Sequence, residues 1–101
     1  MRLDKKDKWI LKPVKLGYIK RCRTIWKDKK DKRVTMATAH KRVMSGKEWI
    51  AERHHILSMV RARAIGCIVI YKGHIIDGNH TAISLIERKY KKYILVIERV
   101  K

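Results

Sequence analysis

The sequence predicts a compact α/β domain, a mixed sheet with helices, and three observations carry that expectation. Apolar residues recur at helical spacing over residues 34–44 and again from 46 to about 64. A continuous apolar run at 67–71, a Lys72-Gly73 turn and a returning segment at 74–76 read as a buried hairpin. Beyond it come a helix from Thr81 to about Tyr90 and a last apolar strand at 93–100. At 101 residues the chain fits one domain, and its 46% hydrophobic content argues against wholesale disorder.

Each element has its own local logic. Residues 1–13 are rich in lysine around Trp9, Ile10 and Leu11 and close on the only proline, Pro13, which reads as a basic arm or short edge strand. Val14, Leu16 and Tyr18 alternate, the period of a half-buried strand. The run Lys27-Asp28-Lys29-Lys30-Asp31-Lys32-Arg33 is a solvated loop. In the helix that follows, Met36, Ala39 and Val43 share one face. Ser45 with Glu48 fits a capping box opening the next helix, whose buried stripe is Trp49, Ile50, Arg53, Ile56, Leu57 and Val60. Gly66 is the expected stop of that helix. In the later helix Ala82, Leu85 and Ile86 face inward.

Charge narrows the function. Lys plus Arg number 27 against 9 acids, a net +18, and that self-repulsion is most easily tolerated when a polyanion neutralises it. Nucleic acid, DNA in particular, is the expected partner, with Arg21, Arg23, Lys29, Lys30, Lys41 and Arg42 as phosphate contacts and Trp26 as a base-stacking ring. No apolar run approaches the roughly 20 residues that span a bilayer. The N-terminus lacks a signal-peptide pattern, and Cys22 and Cys67 stand far apart without a CxxC pairing; a cytoplasmic protein with no membrane partner is expected. Cys67, opening an apolar strand, reads as a buried structural cysteine. The histidines (His40, His54, His55, His74 and His80) match no zinc-ligand spacing, and adjacent His54 and His55 point about 100° apart on a helix.

The segment Ile75-Ile76-Asp77-Gly78-Asn79-His80-Thr81-Ala82 carries the chemistry. It sets a glycine turn between a buried strand and the first turn of a helix, where free amides and the helix dipole favour an anion. Asp77 can hold a divalent ion, Asn79 offers amide donors, and His80 can donate to a phosphate or move a proton. As plain structure, Asp77 and Asn79 are equally good turn formers, and His80 or Thr81 a helix cap.

Apolar strand, Lys-Gly turn, Asp-Gly-Asn-His, helix and closing strand resemble the ParB/sulfiredoxin superfamily, in particular its ParB-like nuclease domain, over about residues 45–100. The resemblance implies a ParB/sulfiredoxin-like fold in which Gly78, Asn79, His80 and Thr81 handle phosphate. It implies DNA binding, nuclease action, or nucleotide binding with slow hydrolysis. A metal-dependent DNase would use Asp77 and His80 as catalytic groups, with Mg²⁺ or Mn²⁺ on Asp77 and Glu48, Glu52 or a substrate phosphate completing the site. A nucleotide phosphohydrolase would take a nucleoside triphosphate. The family usually has arginine after the histidine, where this chain has Thr81, which shifts the expectation from hydrolysis towards binding. The competing class is a non-enzymatic basic DNA- or protein-binding module that blocks or regulates a partner enzyme. A homodimer is compatible with either.

Overall fold

A computed structural model describes residues 8–45, 49–63 and 65–99. The element order is β1 (Trp9–Val14), α1 (Leu16–Arg21), β2 (Arg23–Lys27), β3 (Arg33–Thr35), α2 (Met36–Ser45), α3 (Ile50–Arg61), β4 (Ile68–Tyr71), β5 (His74–Asp77), α4 (Asn79–Glu87) and β6 (Ile94–Arg99). The strands form one six-stranded mixed sheet in the order β1-β6-β4-β5-β2-β3. β4 runs parallel to β6, and β5 parallel to β2; the remaining pairs are antiparallel.

Alternation along the strands assigns the two sheet faces. Thr24 and Trp26 of β2, Val34 of β3, Ile68 and Ile70 of β4, Ile75 of β5, and Ile94 and Val96 of β6 are buried. With the exception of Thr24 they join one hydrophobic cluster with residues of all four helices, among them Ile19, Met36, Ile56 and Leu85. The sheet therefore has a helix-covered face and an opposite one. Helix α4 sits centrally in the helical layer, against the other three helices and β4. That position explains why Thr81, Ile83 and Ser84 are buried along with the expected Ala82, Leu85 and Ile86.

Most of the predicted elements form, and the differences have local causes. The strand expected across 14–18 is instead the end of β1 followed by α1, because Leu16 and Ile19 lie three apart and turn together towards the core. Pro13 lies inside β1, where an edge strand tolerates its missing N–H. Helix α3 is shorter than 46–64, and of its expected stripe only Ile56 is fully buried, while Ile50 is exposed. Its end is closed by Arg63 in the left-handed region (φ 51°), whose N–H bonds the Val60 carbonyl, so Gly66 is not the stop. The proposed capping box falls partly on Gly46–Glu48 in sequence, outside the described residues; Ser45 itself donates back to the Lys41 carbonyl as the last residue of α2. Finally, Cys67 is exposed and Cys22 is the buried thiol, since Cys67 precedes the first residue of β4 rather than pointing into the core. Burial pushes the Cys22 thiol up from its ordinary pKa.

The hairpin of β4 and β5 turns through Lys72 (φ 49°) and Gly73 (φ 76°), the doubly left-handed turn that matches strand twist. Among the described residues no helix is long and apolar enough to cross a membrane.

Candidate functional site

The turn at 77–81 joins β5 to α4, and its residues are fixed by contacts that can be named one by one. Gly78 has φ 89°, a region L side chains rarely adopt, and a Cβ there would lie 2.4 Å from the Cys67 carbonyl oxygen. Glycine is needed so that the segment entering β4 can cross the turn. Asn79 is only 5% exposed. Its Oδ1 accepts the Ile25 N–H at 3.3 Å and its Nδ2 donates to the Ile75 carbonyl at 3.2 Å. One amide thereby ties β2 to β5 near the point where their parallel pairing is a single register pair, Arg23 with His74. Thr81 is buried, and Gly66 lies so close that a Cβ on it would come within 2.7 Å of Thr81 Oγ1. No side chain caps the start of α4, whose first bond runs from the Ala82 N–H to the Gly78 carbonyl.

His80 is half-buried and contacts two rings edge-on. The Trp26 centroid lies 5.4 Å away and that of His55 5.1 Å, both at 79°. Burial, and then the charge of His55, hold the His80 pKa below the ordinary histidine value, with Glu52 pulling the other way. His80 is thus biased to the neutral imidazole. Sequence reasoning missed that His55 and Glu52 come near His80: His55 figured only among the histidines without zinc spacing, and Glu52 only as a completing acid for a metal on Asp77. Helical periodicity placed His55 beside inward-facing Ile56, but nothing in it says which element α3 packs against.

Asp77 is exposed at the end of β5, opposite Val69. An octahedral Mg²⁺ or Mn²⁺ site needs convergent oxygen donors. Among the described residues no three His, Cys, Asp or Glu side chains gather around a common point, and Asp77 alone makes no such site. Glu48, one of the expected completing acids, lies outside the described residues. A nucleoside triphosphate fits no better, because the Asn79 amide that would grip its phosphates is already committed on both sides and Thr81 is packed against Gly66. The other histidines disperse: His40 pairs with Glu87 at 3.1 Å, His74 bonds the Lys72 carbonyl, and His54 lines a shallow recess with Leu57 and Arg61.

The expected nucleic-acid contacts divide into two groups. Trp26 is buried at 7% exposure, with its ring in the core against His80, so it offers no open face to a base. The cations fare differently. Arg21 is exposed in the last turn of α1, and Arg23 opens β2, its Nη1 donating to the Arg33 carbonyl across the β2–β3 hairpin. Lys29, Lys30 and Lys32 are exposed on the connecting loop. The loop's own acids are used to build it. Asp28 Oδ1 accepts the N–H groups of Lys30 (2.8 Å) and Lys32 (3.0 Å), and Asp31, at φ 62°, pairs with Lys27 at 3.3 Å. The two backbone N–H bonds hold the Asp28 carboxyl below its usual pKa, and Lys32 and Arg42 add their charge. Arg42 of α2 therefore stands near the loop, with Lys41 exposed beside it. A held turn presents clustered cations here, a geometry suited to phosphates on a backbone. Comparison with family models, with curated proteins and with solved structures gives no match.

Proposed function

We propose that the protein binds nucleic acid, DNA first, through phosphate contacts centred on the β2–β3 hairpin, as a binding module in a ParB/sulfiredoxin-like domain rather than a hydrolase. The carrying observation is the charge and where it lies. With 27 basic residues and 9 acids, at least 18 cations have no acid to pair with one to one. Around the hairpin loop, two acids are spent on holding the turn while Lys29, Lys30, Lys32 and Arg33 stay exposed. Polyanion binding offsets the self-repulsion that such a surface imposes on the folded chain. Support for the family reading is the order helix, strand, Lys-Gly turn, strand, Asp-Gly-Asn-His, helix and strand. Binding is favoured over hydrolysis because Asn79 and Thr81 serve the packing and no donor set converges on Asp77 among the described residues.

The test is fluorescence anisotropy with a labelled DNA duplex across a salt series. Log affinity is expected to fall linearly with log salt, and Lys29→Ala/Lys30→Ala/Lys32→Ala to flatten that slope by roughly 0.9 for each phosphate left without its lysine. The thermal midpoint should hardly move, since these side chains are exposed. Binding indifferent to salt, or unaltered in the triple variant, would sink the hairpin as the phosphate contact.

A further inference from the structure

The sheet face opposite the helices is built of outward-pointing residues that the core does not use. Leu11 (70% exposed), Leu95 (63%), Ile25 (49%) and Ile76 (45%) lie on it, one each from β1, β6, β2 and β5. They span the sheet from its first edge nearly to the other. The central strand β4 adds half-buried Tyr71, whose ring has the Arg99 guanidinium 4.6 Å and the Lys72 ammonium 5.3 Å from its centroid. At the β2–β3 side the same alternation turns Arg23, Lys27 and Arg33 outward, next to Ile25.

An apolar strip of this kind on a small protein marks a contact surface. Its occupant must tolerate a chain of net charge +18 and a cationic margin along β2 and β3. A second copy of the same chain would bring like charges together. A duplex presents phosphates but keeps its base faces stacked inside, so it would leave the aliphatic strip wet. A single strand presents both, apolar base faces and regularly spaced phosphates, and bases stack on rings and guanidinium planes without sequence preference. We propose that this open sheet face binds single-stranded nucleic acid, with bases against the Leu11, Leu95, Ile25 and Ile76 strip and Tyr71, and phosphates on the Arg23, Lys27 and Arg33 margin. The proposal rests on the nucleic-acid reading above and names the form of nucleic acid and the surface that takes its bases.

The experiment separates the two. Ile25→Ser/Ile76→Ser/Leu95→Ser removes apolar contact and no charge. Anisotropy is measured on labelled oligo(dT) of about twenty nucleotides and on a duplex of equal length, and the triple variant is expected to weaken oligo(dT) binding by about tenfold or more. Its duplex affinity and salt slope should match wild type. Unchanged oligo(dT) binding overturns the sheet-face proposal and leaves the hairpin reading standing, whereas wild-type protein that binds neither probe at low salt removes the hairpin reading itself. A wild-type dimer in sedimentation velocity that the triple variant turns into monomer would make the occupant a second copy, and also overturns the proposal. Should the triple variant not fold, Leu11→Ser on the edge strand carries the same expectation at smaller amplitude, about threefold on oligo(dT) alone.

Discussion

Replacing Asn79 with alanine tests whether the amide in the phosphate-like turn is a ligand or a clamp. The side chain makes two bonds, accepting from the Ile25 N–H and donating to the Ile75 carbonyl, and it is 5% exposed. The Ile25 bond is part-buried and, at 3.3 Å, long, so its loss costs about 1 kcal/mol. Ile75 is fully buried, and leaving its carbonyl short of a partner costs about 1–3 kcal/mol. The expected loss is therefore about 2–4 kcal/mol, a large share of the roughly 5–15 kcal/mol that holds a domain together. For about 100 residues this lowers the thermal midpoint by on the order of 10–20 °C. Equilibrium denaturation in urea measures it directly. Asn79→Asp keeps the acceptor for Ile25 but turns a carboxylate oxygen on the Ile75 carbonyl, and should cost at least as much. A loss below about 0.5 kcal/mol in Asn79→Ala, with duplex affinity reduced, would refute the clamp and restore Asn79 to the phosphate-binding role, since a surface-like change stays within that range.

Two further outcomes follow from the same turn. Gly66→Ala drives a Cβ to within 2.7 Å of Thr81 Oγ1 and should cost about 1–3 kcal/mol, as overpacking does. Thr81→Ala removes the obstructing hydroxyl, so the double variant should be less destabilised than the sum of the singles, and additive losses in denaturant titrations would show that the two residues do not meet. The second outcome is a pH dependence at His80, which faces Trp26 from β2 and His55 and Glu52 from α3. Its folded pKa lies below the unfolded value of about 6.5, so the unfolded chain binds the proton more readily. The neutral-state advantage is fully present above about pH 6.5 and is lost as pH falls from there through the lowered folded pKa. Thermal unfolding from about pH 7.5 to 5 should show a decline that His80→Gln flattens, and an equal decline in both proteins would assign it to other groups.

The parts of the fold that local pattern could reach were legible in sequence. Lys72-Gly73 needs two residues with positive φ, and glycine signals one of them. The spacing of Met36, Ala39 and Val43 gave α2 its buried face because each contact lies within the helix's own period. Failures arose where a tertiary partner decided. Val14, Leu16 and Tyr18 satisfy a strand, yet Leu16 and Ile19 satisfy a helical turn equally well, and docking against the core chose between them. Trp26 sits in a run flanked by cations, which suggested a surface ring. Its true position follows from β2 alternation, Thr24 and Trp26 inward, Arg23, Ile25 and Lys27 outward. The same alternation, had it been read there, would have exposed the open sheet face as well. His55 meeting His80 was beyond reach, because the angle between α3 and α4 is written in no local pattern.

The structure also reverses the weight given to the turn and to the charge. Gly78 is required by the Cys67 carbonyl, Asn79 by β2 and β5, and Thr81 packs against Gly66, while His80 fills the space between two rings. Gly78, Asn79, His80 and Thr81 are accounted for by folding while Asp77 is left exposed, so the composition of the turn is not by itself an argument for a phosphate there. The basic surface has no such account. Exposed Lys29, Lys30 and Lys32 support no packing, and surplus positive charge of this size works against a compact chain. A feature that the fold does not need and is penalised for keeping is better evidence of a ligand than one the fold explains completely. On that ground the proposed binding is placed on the hairpin and the open sheet face, and the Asn79 amide of the turn is the joint that ties β2 to β5.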